Sequence, residues 1–315
     1  MRTAALQLRP LHASFLASPI TPRSGPLPRR VSPKCSRSFH ASASWRTVDL
    51  AFDVHDNGGK ATGAPIVVLH GLFGSKKNNR SISKALARDL SRPIYAIDLR
   101  NHGDSAHHKI HNYTVLADDT EAFLKKHNLK DATLVGHSMG AKTIMAMALR
   151  DPSCCANIIA VDNAPVDAAL ASDFPRYVEG MRRVEDAQVK TQKDADQILE
   201  PYAKELPVRQ FLLTNLIRDS ASSPLRFRIP VRTLAHALDD MADFPFTDPE
   251  KARFNKPALF VRGTRSHYVS DETLPIIGRF FPRFELVDVE AGHWVISENP
   301  EGFRRAVVEF LEEGE

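Results

Sequence analysis

The sequence predicts a mostly parallel α/β sheet flanked by helices, with a helical insert near its middle. Three observations carry this expectation. Short, continuous runs of apolar and β-branched residues recur along the chain, as strands buried on both faces require. Helical periodicity fills the intervals between them. From about Val166 to Lys256 the alternation stops, and a charged, helically patterned stretch replaces it before the strands resume.

Residues 45–55 alternate Val48, Leu50, Phe52 and Val54 with polar neighbours and read as a half-exposed strand. Asn57-Gly58-Gly59 and Thr62-Gly63 supply turns. Pro65–Leu69 is the first buried strand, and similar runs recur at Ile94–Leu99, Ala132–Val135, Ile158–Val161, Ala258–Val261 and Phe284–Val289. Between them, helical spacing is predicted over Ser81–Leu90, Thr114–His127, Met139–Leu149, Glu272–Phe281 and Glu301–Leu311. Alternating strands and helices of this kind build a parallel sheet. Within 166–256, Phe174, Tyr177, Met181, Ile198, Tyr202, Phe211, Leu212, Leu216, Leu234 and Leu238 fall at helical intervals. The insert is too long for a plain loop. It reads as a helical cap over the carboxyl edge of the sheet, where open α/β sheets bind ligands.

Composition narrows the class further. The 315 residues are 43% hydrophobic and 25% charged, which is globular composition. Three cysteines, two of them adjacent at Cys154 and Cys155, exclude a disulfide-stapled scaffold and fit a reducing compartment. No apolar run reaches the length of a membrane-spanning helix. The formal charge of +4 comes from residues 1–46, which hold eight Lys and Arg and no Asp or Glu; the remainder is net acidic. The positive charge therefore argues for no nucleic-acid surface on the folded part.

The same N-terminal segment is Arg- and Ser-rich, as organelle transit peptides are. Met1–Leu16 can form a basic amphipathic helix, which Pro19, Pro22, Pro26, Pro28 and Pro33 do not allow to continue. Arg37-Ser38-Phe39-His40-Ala41-Ser42 resembles a two-step mitochondrial processing site. The expected organisation is a transit peptide over 1–46 and a mature domain over 47–315, with the cap at 166–256, located in the mitochondrial matrix.

Gly136-His137-Ser138-Met139-Gly140 lies between a predicted strand and a predicted helix. Glycines on either side of a serine permit a sharp, strained turn that lifts the hydroxyl clear of the sheet. Serine is a weak nucleophile at neutral pH and needs a base beside it. His293, in Ala291-Gly292-His293-Trp294 after the last strand, suits that role because imidazole titrates near neutrality. His70-Gly71-Leu72-Phe73-Gly74 follows the first buried strand, where an oxyanion-binding amide belongs; the two donors are assigned to Leu72 and Met139. His70 and His102, beside glycines, read as structural, and no metal site is expected from His107, His108 and His111.

The orienting acid has more than one candidate. After strand 258–261, where a carboxylate is usual, the chain carries Ser266; Asp271 follows and reads as a helix-start acid. Asp162 stands at the tip of strand 158–161, beside the strand that bears Ser138. Asp162 is favoured, with Asp271 as the alternative acid and Ser266 as a neutral partner. All three preserve the chain order serine, partner, histidine.

Together these motifs resemble the α/β-hydrolase superfamily over essentially all of residues 47–313. His70–Ser75, Asp98–Ser105, Gly136–Thr143 and Val208–Leu216 are similar to the mitochondrial abhydrolase-domain eleven group. Ala141, where that group commonly has a second glycine, is a local departure that leaves the elbow glycines intact. The resemblance implies an α/β-hydrolase fold with a helical cap inserted after the sixth strand. It also implies serine-dependent acyl transfer through an acyl-Ser138 intermediate. Fungal members include alcohol O-acetyltransferases that make ethyl acetate from acetyl-CoA and ethanol and also act as esterases and thioesterases. In these the acid lies at the position of Asp162. The expected partners are a small acyl ester or thioester and an alcohol or water; acetyl-CoA would enter as substrate, with no resident cofactor. The other readings are an ester or thioester hydrolase without transferase activity, and a non-catalytic binding module, which has no need of an activated serine. Oligomeric state is not legible.

Overall fold

The computed structural model describes residues 47–167 and 173–313. The N-terminal segment, with its targeting pattern, lies outside the described residues. The chain runs β1 (Phe52–His55), β2 (Ile66–Leu69), α1 (Arg80–Leu90), β3 (Ile94–Ile97), α2 (Tyr113–Lys126), β4 (Thr133–His137), α3 (Met139–Arg150) and β5 (Asn157–Val161). The insert follows: α4 (Phe174–Asp186), α5 (Gln192–Leu199), α6 (Leu206–Leu213), β6 (Leu216–Ile217), β7 (Arg226–Phe227), α7 (Val231–His236) and α8 (Leu238–Ala242). The chain then completes the sheet with β8 (Ala258–Gly263), α9 (Leu274–Phe280), β9 (Phe284–Val289), α10 (Val295–Glu298) and α11 (Pro300–Glu313).

The main sheet has the order β1-β3-β2-β4-β5-β8-β9. β1 pairs antiparallel with β3, and every other pairing is parallel. Because successive side chains on a strand alternate in direction, the apolar runs supply two cores. Val67, Leu69, Leu134, Ile158, Ala160 and Phe260 belong to one, with Leu116, Phe123, Ile144 and Met145 of α2 and α3. Ile66, Val68, Val135, Ile159 and Val261 belong to the other, with Leu86 of α1 and Phe303 and Val307 of α11.

Four expectations need correction. The first strand spans only Phe52–His55, not 45–55. Upstream, the Val48 amide donates to Asp119 Oδ1 at 2.8 Å and the Ala51 amide to Ser105 Oγ at 2.8 Å, so side chains replace the ladder there. Among the described residues, the insert follows the fifth strand in chain order, not the sixth. Among the described residues one strand precedes β2, and Asn57, Gly58 and Gly59, all at positive φ, turn the chain after it. The insert also contains a two-stranded antiparallel pair, β6 with β7, whose connecting Ser220–Pro224 segment favours a turn over helix. Finally, the segment 272–281 is a 3₁₀ turn at Asp271–Thr273 followed by α9, since Pro275 can sit only in a first helical turn.

The insert rests on the carboxyl ends of the central strands. Asn215 Nδ2 donates to the Phe73 carbonyl at 2.8 Å, and the Phe73 and Phe174 rings lie 5.7 Å apart. The Lys142 ammonium, on α3, donates to the carbonyls of Ala242 (2.6 Å) and Asp243 (3.0 Å). Burial pulls its pKa down to about 8. Among the described residues, no helix is long and apolar enough to cross a membrane.

Candidate active site

The site begins with the turn from β4 into α3. Ser138 has φ 54° and ψ −112°, a conformation outside the ordinary regions for a residue with a side chain. Two glycines permit this. A Cβ on Gly136 would lie 2.3 Å from the Gly140 carbonyl oxygen, and one on Gly140 would lie 2.6 Å from the Leu69 carbonyl oxygen. Strand, turn and helix therefore close on each other at a distance that excludes any side chain, and Ser138 is held at the apex.

Ser138 Oγ lies 2.9 Å from His293 Nε2, across 155 residues of sequence. His293 Nδ1 lies 2.7 Å from Asp162 Oδ2. Asp162 is fully buried at the tip of β5 and also sits at positive φ, 52°. Its Oδ1 accepts from the Gly263 amide at 3.1 Å, and its Oδ2 accepts from Ser266 Oγ at 2.5 Å. A buried carboxylate with three donors has its desolvation offset by charge-assisted hydrogen bonds. The structure thus brings Ser138, His293 and Asp162 together. Asp271, the alternative acid, is elsewhere: its side chain is 82% exposed and accepts from Arg262 at 2.6 Å. The Ser266 hydroxyl donates to the Asp162 carboxylate.

Leu72 is buried in the turn after β2, and Met139 is the buried first residue of α3. The amides that follow Leu72 are already engaged: Phe73 N–H donates to His102 Nε2 at 3.1 Å, and Gly74 N–H to the Gly71 carbonyl at 2.9 Å. His70 braces the same turn, its Nδ1 2.8 Å from the Gly71 carbonyl and its Nε2 accepting from Leu99 N–H at 3.0 Å. His70 and His102 therefore have the structural hydrogen bonds expected of them. Burial holds the pKa of both below the usual histidine range. Asp98, under this turn, accepts from the Lys76 amide (2.6 Å) and the Lys76 ammonium (2.7 Å).

Several supporting residues were not singled out by sequence reasoning. The Tyr268 ring stacks on His293, with centroids 4.0 Å apart and planes 22° apart. Glu298 accepts from Gly292 N–H at 2.7 Å and from Trp294 N–H at 3.3 Å, clamping both sides of His293. His137, between the elbow glycine and Ser138, places Nε2 2.7 Å from the His293 carbonyl oxygen. A carbonyl only accepts, so His137 Nε2 carries the hydrogen. Burial lowers the pKa of this imidazole to about 4, so it stays neutral. Of these, only His137 carried a sequence signal, its place between the elbow glycine Gly136 and Ser138.

Comparison with known proteins agrees with this geometry. The alpha/beta hydrolase fold family matches residues 64–300. A probable alcohol acetyltransferase of Saccharomyces cerevisiae is 40% identical over 290 residues, covering 85% of this chain and 84% of the relative. The sn-1-specific diacylglycerol lipase ABHD11 of Xenopus tropicalis is 37% identical over 285 residues, covering 88% and 85%. Ethanol acetyltransferase 1 of Cyberlindnera fabianii is 31% identical over 309 residues, covering 90% and 92%. Among solved structures, a marine microorganism esterase superposes with a TM-score of 0.76 at 30% identity, covering 84% of this chain and all of that one. The chain belongs to the alpha/beta hydrolase fold family, in an ABHD11-like group resembling ethanol acetyltransferase, and is an enzyme of the serine-hydrolase type.

Proposed function

We propose that Ser138, His293 and Asp162 carry out a two-step acyl transfer. The observation that supports this most directly is the continuous hydrogen-bonded line from Ser138 Oγ (2.9 Å) through His293 to Asp162 Oδ2 (2.7 Å). Ser138 Oγ attacks an ester or thioester carbonyl while His293 Nε2 takes its proton. Asp162 holds the imidazole in the tautomer that leaves Nε2 free to accept and stabilises the imidazolium that forms. The amides of Leu72 and Met139 receive the oxyanion, and α3 adds the positive end of its dipole. His293 then returns its proton to the leaving alcohol or thiol, leaving acyl-Ser138. In the second step His293 deprotonates an alcohol or water, which takes the acyl group.

The substrate reading is alcohol O-acetylation: acetyl-CoA as acyl donor and a short alcohol as acceptor, giving ethyl acetate when the alcohol is ethanol. Relatives named alcohol and ethanol acetyltransferase support it. Esterase and thioesterase activity accompany it, since water competes for the same acyl-enzyme. A hydrolase acting on a lipid ester is the second reading, supported by the relative named diacylglycerol lipase. No resident metal or prosthetic group enters the steps. Purified protein with acetyl-CoA, with and without ethanol, separates the two. Ethyl acetate rising with ethanol, and absent in Ser138→Ala, supports the transferase. Free CoA and acetate without ethyl acetate assign a hydrolase.

The N-terminal 46 residues are proposed as a mitochondrial transit peptide, on their Arg-rich, acid-free composition. Fused to a fluorescent protein they should direct it to mitochondria; a diffuse cytosolic signal would reject the assignment.

A further inference from the structure

The turn that bears the Leu72 amide is held from the insert as well as from the sheet. Gly74 N–H donates to the Gly71 carbonyl at 2.9 Å, so Leu72 and Phe73 are the central pair of a four-residue turn. Phe73 stands there at φ 64°. A positive φ at the third residue of a turn is ordinarily left to glycine. A bulky side chain keeps such a backbone only where its surroundings impose it.

Three contacts impose it, one from the core and two from the insert. His102 Nε2 accepts from Phe73 N–H at 3.1 Å. Asn215 Nδ2 donates to the Phe73 carbonyl at 2.8 Å. The Phe174 ring of α4 packs on the Phe73 ring, with centroids 5.7 Å apart. Asn215 is only 2% exposed, so this amide bond is shielded from water that would compete for the carbonyl. Its own carbonyl accepts from Arg228 N–H at 2.8 Å, which fixes Asn215 to the far end of the β6–β7 pair. Asn215 also lies in Val208–Leu216, one of the stretches that carry the family resemblance, and no step at Ser138 uses a residue of that stretch.

We propose that Asn215 is a positioning residue for the oxyanion hole, holding the strained Phe73 so that the seated insert sets the direction of the adjoining Leu72 N–H. Without this anchor Phe73 is released toward negative φ. The Leu72–Phe73 peptide then turns over, as between turn types, and the Leu72 backbone moves with it. The insert therefore does more than cover the substrate: one oxyanion donor is aligned only while the insert is seated. The loss falls where negative charge develops on the substrate oxygen, in the transition state, and not in ground-state binding. The inference rests on the acyl-transfer reading of Ser138 and on Leu72 as an oxyanion donor.

The full chain is tested with a trifluoromethyl ketone and the methyl ketone of the same chain. With the first, Ser138 Oγ bonds to the carbonyl carbon, the C=O electron pair moves to oxygen, and the hydroxyl proton passes to His293. The second binds without this addition, so the ratio of the two Kd values reads oxyanion binding alone. In Asn215→Leu and the smaller Asn215→Ala that ratio should shrink by about 10- to 100-fold, part of what one oxyanion donor is worth. On a chromogenic acetate ester kcat should fall by the same factor, with KM within about threefold of wild type. Arg228→Met removes a different contact between insert and core, the 2.8 Å bond to Asp104, and leaves the Phe73 carbonyl held. It should keep the ratio and kcat within about twofold of wild type. A wild-type ratio in either folded Asn215 variant overturns the proposal. So does an equal fall in Arg228→Met, since looser seating of the insert would then account for the loss. A further measurement needs no variant to fold. Coupling is reciprocal, so hydrogen exchange at Arg228 N–H should slow by at least about fivefold more under saturating trifluoromethyl ketone than under saturating methyl ketone. Equal slowing overturns the proposal. A wild-type Ser138 that adds neither the trifluoromethyl ketone nor a fluorophosphonate probe overturns the acyl-transfer reading, and this inference with it.

Discussion

Ser266 Oγ donates a 2.5 Å hydrogen bond to Asp162 Oδ2, the same oxygen that faces His293 Nδ1. The serine occupies the loop after β8, where the orienting carboxylate is usual in this fold. The carboxylate comes instead from the tip of the neighbouring strand β5. In parallel pairing Val161 lies opposite Val261, so the two strand tips end side by side and either can reach the histidine. Here the carboxylate stands one strand over, and the residue at the usual position hydrogen-bonds to it.

This exchange predicts unequal effects for two aspartates. Asp162→Asn should lower kcat on a chromogenic acetate ester by about 10⁴, the effect of losing the orienting carboxylate in such triads. Asp271→Asn should change kcat by less than about twofold, because its exposed carboxylate meets only solvent and Arg262. Steady-state kinetics of both variants check this, and near-normal turnover by Asp162→Asn would remove the proposed acid.

His137 should act on rate without touching the reacting atoms. Replacing it with Ala removes the donor to the His293 carbonyl and loosens the base. A loss of about 10- to 30-fold in fluorophosphonate labelling of Ser138 is expected, matching one buried hydrogen bond. His137→Gln, which can offer an amide donor there, should recover part of it. A structural role alone would lower the melting temperature and leave the labelling rate of the folded protein unchanged.

Arg100 and Asp119 form a fully buried two-pronged ion pair, with Nε–Oδ2 at 2.5 Å and NH2–Oδ1 at 2.7 Å. Asp119→Ala strands the guanidinium in the core and deprives the Val48 amide of its acceptor. Breaking such a pair costs about 3 to 5 kcal/mol. Urea unfolding should show that loss, and a midpoint unchanged from wild type would contradict it.

Buried neutral histidines should make the fold acid-sensitive. Burial lowers His111 to about 3 and His137 to about 4, whereas both return to about 6.5 on unfolding. Below about pH 6.5 the unfolded chain therefore binds protons that the native state refuses, and stability falls as pH drops toward those lower values. The slope approaches about 1.4 kcal/mol per pH unit for each histidine. Urea midpoints between pH 7 and pH 5 measure it. His111→Gln should flatten the dependence, and a wild-type midpoint that does not move across this range would refute the argument.

Much of this protein was legible because its signals are local. Apolar runs of β-branched residues specify strands buried on both faces, and glycines around Ser138 specify a turn that no side chain allows. His293 was legible from its place after the last strand. The sequence alone therefore determined the sheet, the elbow, and the serine and histidine that the fold brings together. It left open which partner orients the base, because Asp162, Ser266 and Asp271 all follow strands and all precede His293. Only tertiary structure places one of them, Asp162, against His293 Nδ1, since that depends on which strand tips the parallel register sets side by side. The same holds for Tyr268 and His137, which meet His293 from other segments. Their roles arise from contacts between segments far apart in sequence, and neither periodicity nor spacing encodes a contact that the packed sheet alone creates.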